Sequence, residues 1–270
     1  MPSASVFAYS GDVYRLACLE IRGGNRSALY RAELPGLSAW VSCRPLQPAT
    51  RGGDLYYMSV CSHGSISRVT LADVAGHGES VNAAAERLRD ALREHADHWD
   101  QSALIRQLNE SFLKDAADGQ FATAFLLSHY AETGETLFTN AGHLPPLWYH
   151  AALREWTFME DATPYSTEVA DLPLGMIPGT DYTQTAVKLA PDDLLLLYTD
   201  GVNESRDPDG EQLGLDRLLK IARVLPVSSA AETGETLLTA LARFRGYAPA
   251  ADDETVVALQ RGPLSSASGS

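Results

Sequence analysis

The chain has 270 residues and is 45% hydrophobic, enough to bury a substantial core in one large domain or two small ones. Its 21 Lys and Arg against 35 Asp and Glu give a formal net charge of -14. An acidic surface repels phosphate backbones and anionic headgroups, so neither nucleic acid nor a membrane surface is an expected partner. The cysteines Cys18, Cys43 and Cys61 are scattered without CxxC spacing and read as thiols of a reducing compartment. The opening MPSASVFAYSGDVYRL lacks a basic region followed by an apolar run, and the longest apolar stretch, Leu194 to Tyr198, is far too short for a bilayer. The expected location is the cytoplasm.

In chain order, short or alternating apolar runs predict strands at about 12–20, 38–43, 55–62 and 65–73. Two amphipathic helices follow. Val81 to His95 sets Ala84, Leu88, Ala91 and Leu92 on one stripe, and Ser102 to Lys114 does the same with Leu104, Ile105, Leu108 and Phe112. Strands are then predicted at 122–130, 135–140 and 145–149, a loop containing Pro164, Pro173 and Pro178 at 159–181, and strands at 185–189 and 193–199. Helices at 212–224 and 229–244 and a strand at 254–260 complete the order. Strands, two helices, strands and two more helices make an α+β pattern, not a βαβ alternation. Two sheets packed face to face, with helices over the outer faces, would satisfy it. One domain over 1–262 is expected, with a small, polar and disordered tail at 263–270. The heptapeptide AETGETL occurs at 131–137 and again at 231–237 with unrelated flanks, and reads as a coincidence of turn and helix-start sequence.

Four acidic motifs stand beside glycine or another acid at strand ends. They are Gly52-Gly53-Asp54, Asp73-Val74-Ala75-Gly76-His77-Gly78, Thr199-Asp200-Gly201 and Asp252-Asp253-Glu254-Thr255. If neighbouring strands carry these ends, the aspartates converge at one edge. Hard carboxylate oxygens without a Cys or His cluster favour Mg²⁺ or Mn²⁺ over Zn²⁺. Two such ions sharing a water would lower its pKa and clamp a phosphoryl oxygen, while the glycines admit close backbone approach. Each motif alone also has a structural explanation: GGD and DG are common turn sequences, and AGHG is a permissive helix entry or an anion site.

Taken together and in order, the motifs resemble the catalytic domain of the PPM (type 2C) protein phosphatases, in the bacterial sporulation-stage-II-E and RsbU-like branch. The matching text runs through ELPGLSAW, RGGDLYY, LADVAGHG, FATAFLL, LFTNAGHLPPLWY, DLPLGM, LAPDDLLLLYTDGVNESRDPDGEQLG and DDETVVAL, roughly residues 33–260. The resemblance implies a four-layer α-β-β-α sandwich with two Mn²⁺ or Mg²⁺ ions between the sheets. It implies that Asp73 bridges the ions with help from the Val74 carbonyl, that Asp200 and Asp252 complete one shell, and that Asp54 holds the second ion. Asp253 is a further metal candidate. It also implies in-line attack on phosphorus by a hydroxide bridging the metals, releasing serine or threonine. The expected substrate is a phosphoprotein, such as the phosphorylated antagonist of an anti-sigma factor.

Around this set, His77 is a candidate proton donor to the leaving alcohol or a phosphate contact, His143 a loop-holding residue, and Arg51 a candidate phosphate grip. Asp207 to Glu211 lacks the spacing of an EF-hand calcium loop and reads as a turn. Two positions depart from the family pattern. Tyr57 stands where an acid is usual, which would weaken the orientation of metal-bound water, and Glu254 stands where an apolar residue is usual and is expected to face solvent. Tyr57 motivates an alternative, a non-catalytic PPM-fold protein that binds a signalling partner; a third reading is an enzyme acting on small phosphate esters. Because about thirty residues precede the motifs, control is expected from a regulatory protein in trans or from the N-terminal segment.

Overall fold

Period-two alternation sorts the apolar side chains of each strand onto two faces, and both faces are covered. The computed structural model describes residues 13–61, 64–76, 79–95, 100–115, 119–159 and 171–262. In chain order the first half comprises β1 (Val13–Arg15), β2 (Ile21–Arg26), β3 (Ala28–Leu34), β4 (Leu37–Arg44), β5 (Arg51–Val60), β6 (Ile66–Val74), α1 (Glu79–Glu94) and α2 (Gln101–Asp115). There follow β7 (Ala122–Tyr130), β8 (Glu135–Ala141), β9 (Leu147–His150), β10 (Glu155–Phe158), β11 (Thr185–Lys188) and β12 (Leu194–Tyr198). The chain continues through α3 (Asp200–Asn203), α4 (Gly214–Ala222), α5 (Ala230–Phe244) and β13 (Glu254–Arg261).

The strands form a seven-stranded sheet, β1-β3-β4-β13-β12-β9-β10, and a six-stranded sheet, β11-β8-β7-β6-β5-β2. Between them lies a core drawn from both: Val41, Leu195, Leu197 and Val257 from the first, Tyr56, Met58, Val69, Leu71 and Phe125 from the second. On the outer face of the six-stranded sheet, Leu55, Tyr57 and Leu126 pack under α1 and α2 through Val81, Leu88, Leu104 and Ile105. On the outer face of the other sheet, Trp40, Leu196, Tyr198 and Val256 pack under α4 and α5. The architecture is the four-layer α-β-β-α sandwich. No helix among the described residues is long and apolar enough to cross a membrane.

Two caps set helix starts. Asp100 Oδ1 accepts from the N–H groups of Ser102 and Ala103 at 2.9 and 3.1 Å, and Ser229 Oγ accepts from Glu232 N–H at 3.1 Å. The structure departs from the sequence expectation mainly near the N-terminus. The strand expected over 12–20 stops at Arg15, and two further strands, β2 and β3, follow a turn. Their IRGGNR and ALYRAEL sequences carry little apolar alternation, and cross-strand pairing with β5 and β4 settles their conformation. β10 also went unforeseen; it closes a hairpin on β9 through a turn in which Arg154 takes φ 53°. Of the expected 159–181 loop, residues 171–181 are turns and bends with bridge positions at Leu174, which pairs with Ala122, and at Asp181, while 160–170 and the tail lie outside the described residues.

Candidate metal centre

The site begins with a register. In the β5–β6 ladder Asp54 stands directly opposite Asp73, so both carboxylates leave the same face of the sheet. Alternation with Tyr56 and Leu71 makes that the inner face, between the sheets. GGD is therefore not a turn here. Gly52 and Gly53 lie within β5, and a side chain at either would collide with what packs there. A Cβ on Gly52 would fall 2.3 Å from Asp253 Oδ2; one on Gly53 would fall 2.9 Å from the Val74 carbonyl oxygen and 3.5 Å from Asp73 Oδ1.

The opposite sheet supplies the rest. β12 alternates Leu195 and Leu197 inward, so Thr199 continues on the inner face and Asp200 opens α3. Thr199 occupies the N-cap position but makes no cap with its side chain; its hydroxyl donates to Asp54 Oδ2 at 2.7 Å and accepts from Thr255 N–H at 3.0 Å. One hydroxyl thus joins the Asp54 strand to both strands that lead to Asp200 and Asp252. Asp252 is exposed just before β13, and its Oδ1 accepts from Asp253 N–H at 2.8 Å.

Burial and mutual repulsion act on these acids together. Asp54 is 2% exposed, and burial, followed by the charge of Asp73, raises its pKa well above the carboxylate range. Asp73 is pushed up to about 7, first by burial and then by Asp200, Asp252 and Asp253. Asp200 is raised by burial and then by Asp252. Asp54 Oδ1 is buried with no hydrogen-bond partner.

These features fit a divalent cation. The donors are all hard oxygens, one buried oxygen is unsatisfied, glycines clear the approach, and the carboxylates need positive charge to ionise together. The fit is not a finished cage. Among the described residues no three His, Cys, Asp or Glu side chains close on a single point. Asp253 is also committed elsewhere: its Oδ1 and Oδ2 accept from the N–H groups of Leu46 and Gly53, each at 2.6 Å. That arrangement pins the β4–β5 connection and the entry to β5 against the Asp252 loop.

The other sequence candidates sort by face. Tyr57 alternates with Asp54 across β5 onto the outer face, where it is 1% exposed and its hydroxyl donates to the Leu92 carbonyl at 3.2 Å. Strand periodicity therefore removes it from the metal edge. Glu254, expected in solvent, is 1% exposed and ion-paired with Arg44 and Arg245. Arg51 pairs with Glu86 on α1. His143 Nδ1 lies 2.8 Å from the hydroxyl of Thr123, which stands directly opposite Asp73 in the β6–β7 ladder, while Asn140 clamps the His143 backbone at both N–H and C=O. Burial pushes its imidazole down to about 4, which suits a neutral loop-holder. Asp207 Oδ1 accepts from the N–H groups of Asp209 and Glu211, forming the expected turn. His77 lies outside the described residues. Thr199, Thr255, Ser205 and Arg245 escaped the sequence reading; only the adjacency of Thr199 to Asp200 and of Thr255 to the acidic run offered a signal.

Raised carboxylate pKa values predict a pH dependence with a definite sign. Unfolded Asp73 titrates near about 3.9, so between that pH and about 7 the folded state holds a proton that the unfolded state releases. Without divalent cations, stability is greatest at the acid end of this window and falls as pH rises through it. Thermal unfolding in chelator should show a lower Tm at pH 8 than at pH 5, with Mn²⁺ restoring it at pH 8. A Tm that rises from pH 5 to pH 8 in chelator would contradict the electrostatics described.

A model of the family described as Stage II sporulation protein E (SpoIIE) matches residues 65–262. The phosphoserine phosphatase RsbU of Bacillus subtilis (strain 168) is 27% identical over 217 residues, which cover 79% of this chain and 61% of RsbU. The chain thus spans less than two thirds of that relative. Among solved structures, the RsbU and RsbW domains of Rv1364c from Mycobacterium tuberculosis superpose with a TM-score of 0.71 at 24% identity, covering 89% of this chain and 64% of that one. The catalytic domain of the serine/threonine protein phosphatase PstP, in complex with two manganese ions, superposes with a TM-score of 0.55 at 15% identity, covering 84% and 99%. The structural likenesses establish a shared fold, and the family match spans most of the length, including Asp73, Asp200 and Asp252. The chain belongs to the stage II sporulation protein E (SpoIIE) family.

Proposed function

We propose that this chain, as one catalytic domain over 1–262, is a metal-dependent phosphatase that hydrolyses phosphoserine or phosphothreonine on a partner protein. The observation that carries this is the convergence of Asp54 and Asp73 from one sheet with Asp200 and Asp252 from the other at a single edge. Two Mn²⁺ or Mg²⁺ ions bound there would activate water and neutralise phosphoryl charge. Asp73 is assigned the shared position, with the Val74 carbonyl, Asp200 and Asp252 completing one shell and Asp54 serving the other. Thr199 orients Asp54, and Asp253 sets the Gly53 approach more than it offers a further ligand. His77, in the segment between β6 and α1, is the candidate to protonate the leaving alcohol.

RsbU, a relative named as a phosphoserine phosphatase, supports a phosphoprotein substrate, and a phosphorylated anti-sigma-factor antagonist is the proposed one. Regulation by a protein in trans and action in the cytoplasm belong to the same reading. The non-catalytic alternative loses its motive, because Tyr57 faces the helices.

The test is release of phosphate from p-nitrophenyl phosphate and from a phosphoserine protein, with Mn²⁺, with Mg²⁺ and in chelator. Metal-dependent turnover of both is expected, with the protein substrate preferred in kcat/KM. Tight metal binding with no turnover of either substrate would favour the non-catalytic reading instead.

A further inference from the structure

Glu254 lies on the outer face of β13, opposite the face that bears the metal edge, and directly across the ladder from Arg44. Its carboxylate takes one arginine on each oxygen: Arg44 Nη1 at 3.3 Å on Oε1, and Arg245 Nη1 on Oε2. Arg245, at the C-terminal end of α5 and 7% exposed, also donates through Nη1 to Ser205 Oγ at 3.1 Å. Ser205 in turn donates to the Gly201 carbonyl at 2.9 Å. A continuous polar chain therefore runs from β4 through β13 and the end of α5 to the first turn of α3. Within it Glu254 sits two residues from Asp252, and at its far end Gly201 sits one residue from Asp200.

Such a network is a poor source of stability. Desolvating three charged groups offsets most of their attraction, and apolar packing of similar volume would serve at least as well. What the network supplies is geometry and charge. It fixes the separation of two loops whose carboxylates repel one another, and it sets two guanidiniums against one carboxylate directly behind them.

We propose that Glu254, Arg245 and Ser205 are positioning residues that clamp the Asp252 and Asp200 loops at the separation a divalent cation needs. The proposal rests on the reading of the carboxylate edge as a metal centre. None of the three touches the ion or the substrate; each acts on the backbone that carries a ligand. Groups that orient ligands in this way typically change metal affinity by about 10–100-fold when removed.

Calorimetric titration of the full chain with Mn²⁺ tests this in wild type, Glu254→Gln and Ser205→Ala. Glu254→Gln keeps the shape and removes the charge; it is expected to weaken Mn²⁺ binding about ten-fold. Ser205→Ala removes the hydroxyl that joins Arg245 to the Gly201 carbonyl and should weaken it about three-fold, below that range because both ion pairs of Glu254 remain. With p-nitrophenyl phosphate, KM should stay at the wild-type value, and kcat should recover as Mn²⁺ is raised to saturation. A lowered Tm with unchanged Mn²⁺ affinity in both variants would mean a packing role only and overturn the proposal. If Glu254→Gln does not fold, Ser205→Ala decides by the same criterion. Wild-type protein that binds no Mn²⁺ would sink the metal-centre reading and the clamp with it, whereas normal wild-type binding with unaffected variants would sink the clamp alone.

Discussion

Asp73→Asn is expected to lower Mn²⁺-dependent turnover of p-nitrophenyl phosphate by about 10³-fold or more, the equivalent of roughly 4 kcal/mol of lost metal-derived stabilisation. Asp73 stands opposite Asp54 in the ladder and interacts with Asp200, Asp252 and Asp253, so it is the acid common to both halves of the site. Asparagine preserves volume while removing one anionic donor. The same change should move stability the other way. Burial and three neighbouring carboxylates disfavour ionised Asp73, so a neutral side chain relieves repulsion in the metal-free protein above pH 7. The expected signature is loss of turnover with a higher Tm in chelator at pH 8 and a flatter dependence of Tm on pH. A variant that is both inactive and less stable in chelator would show that Asp73 supports the fold in a way the site geometry does not explain.

Gly201→Ala should carry the next largest effect, through backbone and not through charge. A Cβ at this position would fall 1.9 Å from the Asp253 carbonyl oxygen, 3.0 Å from its carbonyl carbon and 3.5 Å from Asp252 Cβ. Carbon and oxygen prefer contact at about 3.5 Å, so α3 and the entry to β13 must separate by more than an ångström. Neither partner is the flexible end of a side chain, and the displacement falls between Asp200 and Asp252. Turnover at saturating Mn²⁺ is expected to drop on the order of 10²-fold, the usual consequence of misplacing reacting groups by about 1 Å. Overpacking should lower stability by about 1–3 kcal/mol, read from the urea midpoint. Wild-type kcat in this variant would mean that the close approach of the two loops is not required for function.

The carboxylates were legible in the sequence because each follows or precedes a short apolar strand and belongs to a motif with glycine or another acid. The Asp54–Asp73 register and the alternation that turns both inward follow from those same strands. The groups that hold them were not legible. Thr199 reads as one more hydroxyl before an Asp-Gly pair; its bond to Asp54 spans 145 residues and exists only once β12 packs across from β5. Glu254 was misread for a related reason. The position beside an exposed Asp252 suggests solvent, but β13 is the middle strand between β4 and β12, covered on its outer face by α5, and only that cover brings Arg245 to it. Tyr57 was placed at the metal edge by its motif position, yet strand periodicity from Asp54 already puts it on the other face.

The heptapeptide AETGETL shows where local sequence stops deciding. At 131–137 it makes the β7–β8 turn and enters β8: Gly134 takes φ 74°, its N–H reaches the Tyr130 carbonyl at 2.8 Å, and the Thr136 hydroxyl meets buried His129 at 2.9 Å. At 231–237 the same residues are helical in α5, with the Thr233 hydroxyl on the Pro226 carbonyl at 3.0 Å and Gly234 against the Trp40 ring, where a Cβ would lie 2.3 Å away. The flanks decide: an apolar strand precedes the first copy, whereas the Ser229 cap and a helical apolar stripe frame the second. By itself the sequence determined the apolar periodicities, the order of strands and helices and the acids at strand ends, because these depend on residues near in the chain. Only the tertiary structure decided which conformation an ambiguous segment adopts and which distant hydroxyl or guanidinium supports each carboxylate. Those outcomes depend on burial against partners far away in sequence, and burial sets the cost of leaving a polar group unpaired.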